Sequence, residues 1–546
     1  MSMRPLGMPA ARQGEPWGAL LVICLGFFMI MLDTTIVYVA TPSMITSLNT
    51  SLDAILWVFN GYLLSYAVLL ITAGRLGDLF GARTLFIAGL VVFTLSSAAC
   101  GLSTTAEQLI LARVVQGIGG AMLAPQSLAM LTLLFPRERM GTALGVWGSV
   151  IGISTVAGPT IGGWIVTNWE WRWIFFVNVP VGIVALIGAL AIVPDVRSGR
   201  RHRLDLAGVG LSSVSLLAVT YGLIEGQRYD WGTIAGPITI PLVIGLGVAL
   251  ALAFVLYEAR QAEPLMPLHL FAIRNFTLMN VVGAALAFAM AGIFLSVTIY
   301  LQSVLGMSAL EAGLTVAPMS LMSGILAPVA GRLADRLGGK YLLIAGLLIF
   351  AGGTYWIVEA AGLSSTWLTF LPGFLVAGFG MGLIFAPMTT LAMRDIHGHE
   401  AGAASGVINT MRQLGNVIGS AVIGAVLQAQ LAVSLRSEAV AQASALPAAF
   451  RQPFVDGFAA AAKNGFQVGA GETGARLPAG LPVQIAALLQ RLAHEVFAAG
   501  FLDAMRPSVL VGVATLVLAA AACLLVVQRP RARRAEVDGE AIVAAS

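Results

Sequence analysis

Trp17–Ala40, WGALLVICLGFFMIMLDTTIVYVA, decides the fold. As a helix rising about 1.5 Å per residue it would be about 36 Å long, more than the roughly 30 Å of a bilayer's hydrocarbon core. Every side chain in it is apolar or weakly polar except one, Asp33. An ionised carboxylate at membrane depth costs about 2.5–3.5 kcal/mol on insertion scales, so Asp33 must face protein or water. Two readings stay open: a functional carboxyl, or a helix-end residue bonded to the Thr34–Thr35 neighbourhood.

The rest of the chain repeats this character. Of 546 residues, 58% are hydrophobic and 10% charged, with a mean hydropathy of +0.90. A soluble core does not have that composition, and the first run is too long for a cleaved signal segment. Apolar runs predict spans near 18–40, 54–73, 84–102, 107–133, 141–166, 172–193, 204–224, 236–256, 276–302, 310–331, 340–360, 367–391, 402–427 and 506–527. About fourteen crossings put both termini on one side. Twenty Lys and Arg residues fall on that side and eight on the other, so both termini are expected in the cytoplasm. The net charge of +4 follows from this topology rather than from a basic patch, and no nucleic-acid partner is expected. Cys24, Cys100 and Cys523 lie singly in apolar runs and read as small core residues.

Three blocks recur in the same order. GRLGDLFGARTL from Gly74 returns as GRLADRLGGKYL from Gly331, APQSLAML from Ala124 as APMTTLAM from Ala386, and the glycine-rich run from Gly141 as that from Gly402. Their offsets of 257, 262 and 261 residues, with matching charged flanks, indicate two parallel halves of six helices. The expected fold class is an all-α polytopic membrane protein of two such bundles plus two inserted helices. The divisions are a tail at 1–16, a first bundle at 17–195, the insert with its basic linker at 196–260, a second bundle at 261–527, and a tail at 528–546. Within the second bundle, 428–505 reads as a long outer loop. Its PVQIAALLQRLAHEVFAAGF segment has amphipathic helical spacing, suited to a linker lying on the interface or to a lid over the outer mouth.

These blocks resemble the major facilitator superfamily, in particular its fourteen-helix drug:proton antiporters of the EmrB/QacA type. The first-helix pattern appears as LDTTIVYVATP from Leu32, and the resemblance makes Asp33 the proton carrier. A carboxyl whose surroundings alternate between a dry pocket and a nearby cation can load and release a proton. The loop signature appears as Gly74, Asp78, Gly81 and Arg83, with Leu79 and Ala82 where basic residues are usual, and again as Gly331, Asp335, Arg336, Gly338 and Lys340. In the family it forms a gate lock on the inward side, and each Asp can meet a helix N-terminus or a basic partner. The missing basic residues weaken an ion-pair lock in the first copy. Arg113, in the fourth-helix motif, is implied in substrate or proton coupling. Asp33 is its one clear mid-helix anion, although snorkelling to the outer interface stays open. The fifth helix carries the antiporter pattern at Gly145, Gly158, Pro159, Gly162 and Gly163, with Ser154 where the middle glycine is usual. It reads as a pivot between the halves or as plain close packing.

Asn409, Arg412, Gln413 and Asn416 give the thirteenth span a polar face that belongs in a water-filled cavity. Trp57, Asn60, Tyr62, Trp147, Asn178 and Tyr300, with Phe175, are expected to complete a substrate chamber. Arg412, among amides, should deter cations or bind anionic groups. All five histidines fall in predicted loops, and neither metal-ligand spacing nor a nucleotide-binding loop occurs, so no enzyme activity, metal or cofactor is expected. The implied function is proton-coupled export of amphipathic, often cationic, compounds from a monomer in the inner (plasma) membrane, driven by the proton gradient. The partners are lipid, protons and the small substrate. The alternatives are a membrane scaffold or sensor, or an importer or lipid or metabolite exporter of the same superfamily.

Overall fold

The structure is a computed structural model that describes residues 16–50, 52–136, 139–195, 205–226, 229, 231–261, 264, 266–397, 400–463 and 483–527. Both tails and the basic linker at 196–204 lie outside these residues. The first bundle holds α1 (Pro16–Val39), α2 (Leu52–Phe80), α3 (Ala82–Leu102), α4 (Ala106–Leu134), α5 (Met140–Asn168) and α6 (Trp173–Ala191). The insert is α7 (Leu206–Glu225) and α8 (Ile240–Glu258). The second bundle holds α9 (Arg274–Val304), α10 (Ala309–Leu337), α11 (Lys340–Glu359), α12 (Trp367–Met393), α13 (Ala401–Gln442) and α14 (Val483–Ala522). Each of α1–α4 and α6–α14 is long and apolar enough to cross a membrane, and the 29 residues of α5 suffice by length. The chain is therefore a multi-pass membrane protein.

Local chemistry sets several boundaries. Thr105 caps α4 by accepting from the Gln108 N–H, and Ser308 with Glu311 forms a reciprocal cap on α10. Gly81 and Gly338, at φ of 95° and 86°, make the sharp turns α2–α3 and α10–α11 at equivalent points of the two repeats. Arg83 then donates to the carbonyls of Ala189 and Leu190 at the end of α6, and Lys340 donates to those of Leu524 and Val526 at the end of α14. Each basic residue thus satisfies the free carbonyls of the last helix in its own half.

The halves meet along α5 with α10 and α2 with α13. Residues equated by the repeat change places there. A Cβ on Gly74 would lie 2.5 Å from the Gly402 carbonyl oxygen, and one on Gly141 would lie 2.5 Å from that of Gly331. Close approach of four glycines from two repeats is what a two-fold axis along the bundle requires. α7 packs on α2 and touches α13, while α8 packs on α7.

One expectation fails outright. Outside 464–482, which are not among the described residues, the stretch 428–505 is helical rather than an open loop: α13 runs to Gln442, a further helix covers Ala448–Lys463 and α14 starts at Val483. α13 and α14, each about 60 Å long and so about twice the hydrocarbon thickness, pack along each other, with the helix Ala448–Lys463 against α13. The amphipathic segment is helical as its spacing indicates, but its apolar face is covered by protein. Leu489, Leu492, Val496 and Phe497 are buried in one core with Leu431, Leu435 and Ala439. His494 accordingly lies on a helix.

Candidate functional site

Asp33, fully buried on α1, is the centre of a polar cluster inside the first half. Arg113 of α4 reaches it with Nη1 at 2.5 Å from Oδ2. Gln116 Nε2 and Asn178 Nδ2 donate to Oδ1 at 2.9 and 3.0 Å. Arg113 also donates to Gln116 Oε1 and to the Val58 carbonyl, and its guanidinium lies 4.2 Å from the centre of the Tyr62 ring. Asn178 is steadied by Ser97, whose hydroxyl donates to the Phe175 carbonyl. The snorkelling alternative for Arg113 is excluded, since the residue is 1% exposed. So is the helix-end reading of Asp33, because Thr34 and Thr35 donate to backbone carbonyls and leave the carboxylate to its partners on α4 and α6. Gln116 escaped the sequence reading. Its signal was its spacing, one turn after Arg113 on the same face.

The two loop motifs act across the interface. Asp78 accepts the Gly402 and Ala403 N–H groups, both at 2.9 Å. Asp335 accepts those of Gly141 and Thr142 at 2.9 and 3.1 Å and the Thr142 hydroxyl at 3.2 Å. Each carboxylate thereby occupies the N-terminus of a helix from the opposite half, where unpaired amides and the helix dipole favour negative charge. The basic residues absent from the first copy are not needed for this contact, and Arg336 of the second copy is exposed. All these contacts lie on one face, where α1 begins and α14 ends.

The antiporter pattern is two-sided. Gly158 and Gly162 press on Thr35 and Ile36 of α1, whereas Gly145 meets Ala327 and Pro328 of α10 and Gly163 meets Leu310. Ser154 is buried with its hydroxyl bonded within α5. The Pro159 side chain lies outside the described residues.

The expected chamber is only partly formed. Trp147, Asn409 and Arg412 line a small cavity between the halves, with Asn280 and Thr389, which the sequence reading missed. On α13, Asn409, Arg412, Gln413 and Asn416 fall within about 100°, the arc that also contains Gly402. This stripe therefore faces the other half, while the exposed Ile418 and Val422 face away. Five residues belong elsewhere. Asn178 sits on Asp33, and Tyr62 lies under Arg113. Asn60, about 200° from Tyr62 around α2, turns to Glu225 of α7 at 3.4 Å, and Trp57 turns to Tyr221. Tyr300 also leaves the chamber: its hydroxyl bonds to Gly362 and its ring packs on Phe370 within the second half.

Two repeated six-helix halves, latched on one face around a polar seam, define a polytopic membrane transporter. Residues 23–420 match the Major Facilitator Superfamily, and the chain belongs to that family. It is 36% identical to the tetracenomycin C resistance and export protein of Streptomyces glaucescens, over 89% of this chain and 88% of that one. It is also 36% identical to the multidrug resistance protein Stp of Mycobacterium tuberculosis, over 75% and 76%. A bacterial homologue of the lysosomal transporter Spinster, solved facing inward, shares the fold with a TM-score of 0.53 at 18% identity, over 95% of this chain and all of that one.

Proposed function

We propose that this protein is a secondary exporter of small amphipathic compounds, coupled to inward proton flow across the plasma membrane, with both termini in the cytoplasm. The observation that carries the proton coupling is the Asp33–Arg113 pair, dry and shared by α1 and α4. Protonating Asp33 would remove the charge that holds Arg113, Gln116 and Asn178 together, so the cluster has two hydrogen-bonded arrangements that a proton can select. The Asp78 and Asp335 latches would hold the cytoplasmic face shut while the outer side exchanges protons and substrate, and their release would let the halves rock. Export rather than import is favoured by relatives named for resistance and export. The Lys and Arg bias supports the orientation, and the repeat supports bundles at 17–195 and 261–527 about an insert at 196–260.

Asp33→Asn is the test. The amide keeps the size and one acceptor but cannot titrate, so the variant should insert and purify normally yet fail to move a dye against its gradient when a proton gradient is imposed on proteoliposomes. Uphill dye movement at the wild-type rate would remove Asp33 from the mechanism.

A further inference from the structure

The cavity lies just inside the latches, with Leu128 and Trp147 from the first half on one wall and α9, α12 and α13 on the other. Among the described residues, Arg412 is the one charged residue lining it, and no Asp or Glu does. Its Nη2 donates to Asn409 Oδ1 at 2.9 Å, and among the described residues no carboxylate lies within ion-pair distance of it. The guanidinium also sits beside the Tyr66 phenol.

Around this cation the protein gathers hydrogen-bond donors without acceptors. Trp147, 3% exposed, has an Nε1–H that makes no hydrogen bond among the described residues, and the same holds for Nε2 of Gln413, the residue after Arg412 along α13. A buried donor left unmatched is costly, and the Trp147 N–H lining the same cavity as a cation without a carboxylate partner makes a site that lacks its anion. The complementary orphan is Asn280 Oδ1, 3% exposed, which can accept from a hydroxyl or N–H elsewhere on the same ligand. The apolar wall suits a flat ring: Trp147 is held by stacking on Phe27, with ring centres 4.4 Å apart, and Met279 and Met388 supply deformable sulfur opposite.

We infer that this cavity, about 20 Å³ with the latches closed and so too small for a ring until the halves rock apart, opens into a site for planar aromatic compounds carrying an ionised oxygen, a carboxylate or phenolate, with the oxygen on Arg412 and the ring against Trp147. The inference rests on the export reading and narrows its substrate class. It reverses the expectation of cationic substrates, because a cation here would face Arg412 with no carboxylate to pair with.

Fluorescein and rhodamine 123 share a xanthene ring and differ in charge sign, so their binding to the purified full-length protein in detergent, read by fluorescence anisotropy, isolates the charge preference. Fluorescein should bind about tenfold or more tightly than rhodamine 123, the scale expected of a charge-assisted hydrogen bond. Arg412→Gln should lower fluorescein affinity about tenfold, Arg412→Lys should keep the preference, and Trp147→Phe should cost about threefold by removing one donor while keeping the ring. Equal or tighter rhodamine binding by the wild type, or unchanged fluorescein affinity in Arg412→Gln, overturns the assignment. If Arg412→Gln is not monodisperse, the wild-type preference and Trp147→Phe decide it. In proteoliposomes, fluorescein binding without gradient-driven movement of either dye supports this site and counts against export. Gradient-driven movement of rhodamine 123 in preference to fluorescein overturns the site and leaves export standing.

Discussion

Converting Asp335 to Asn should open the terminal face by a calculable amount. The carboxylate accepts two backbone N–H groups and one hydroxyl from the start of α5. Hydrogen bonds to a charged group are worth about 1.5–3 kcal/mol and neutral ones about 0.5–1.5 kcal/mol. Asn keeps one acceptor oxygen and turns an amide N–H towards the Thr142 N–H, and it loses a dipole interaction of about 0.3–1 kcal/mol. The net loss is about 2 kcal/mol, or about thirtyfold in the closed-to-open ratio. Asp78→Asn should cost a similar amount at α13, since Asp78 accepts two N–H groups there. If the halves separate as rigid bodies, both contacts break together and the double variant should shift the ratio by about a thousandfold. Hydrogen–deuterium exchange read by mass spectrometry on peptides 140–150 and 401–411 reports the two helix starts directly. Either single variant should raise exchange in both peptides. Deprotection of 401–411 alone by Asp78→Asn, with 140–150 unchanged, would refute the idea that the two latches open as one.

Two further substitutions probe the packing. Gly145→Val puts a branched side chain where even a Cβ would meet the Pro328 Cα at 2.8 Å. It should force α5 from α10, cost about 1–3 kcal/mol, and lower both the thermal midpoint of the purified protein and its transport; an unchanged midpoint would show that the seam tolerates a wider gap. Leu435→Asp buries an unpaired carboxylate where α13 meets α14. Limited proteolysis should then cut within 428–505 while the membrane helices stay intact, and wild-type resistance would contradict a packed hairpin.

How much of the site was legible depended on the kind of signal. Asp33 and Arg113 were visible because a charge in an apolar run has few partners available, and they do pair. The exchange of Gly74 with Gly402 and Gly141 with Gly331 was implicit in the repeat, since an axis relating two halves brings equivalent residues to opposite sides of one seam. Trp57, Asn60 and Tyr300 were misread for a common reason. A helix apolar on all sides gives no periodic hint of which side chain faces a cavity, a neighbouring helix or lipid. The helices described within Gln428–Met505 were read as a linker because a composition rich in Ala, Gly and Pro fits a solvated segment and a helix equally well until a partner covers the apolar face.

The sequence by itself determined that the chain crosses the membrane many times, that it is built twice over, and where its buried charges lie. Those properties follow from transfer energies and from repetition along the chain, which need no partner in space. Only the tertiary structure decided that Asp78 and Asp335 cap helices of the opposite half, that Asn178 and Gln116 complete the Asp33 cluster, and that Arg412 shares a cavity with the unmatched Trp147 N–H. Hydrogen bonds are satisfied or left open by whichever group arrives within about 3 Å, and that arrival is set by helices distant in sequence.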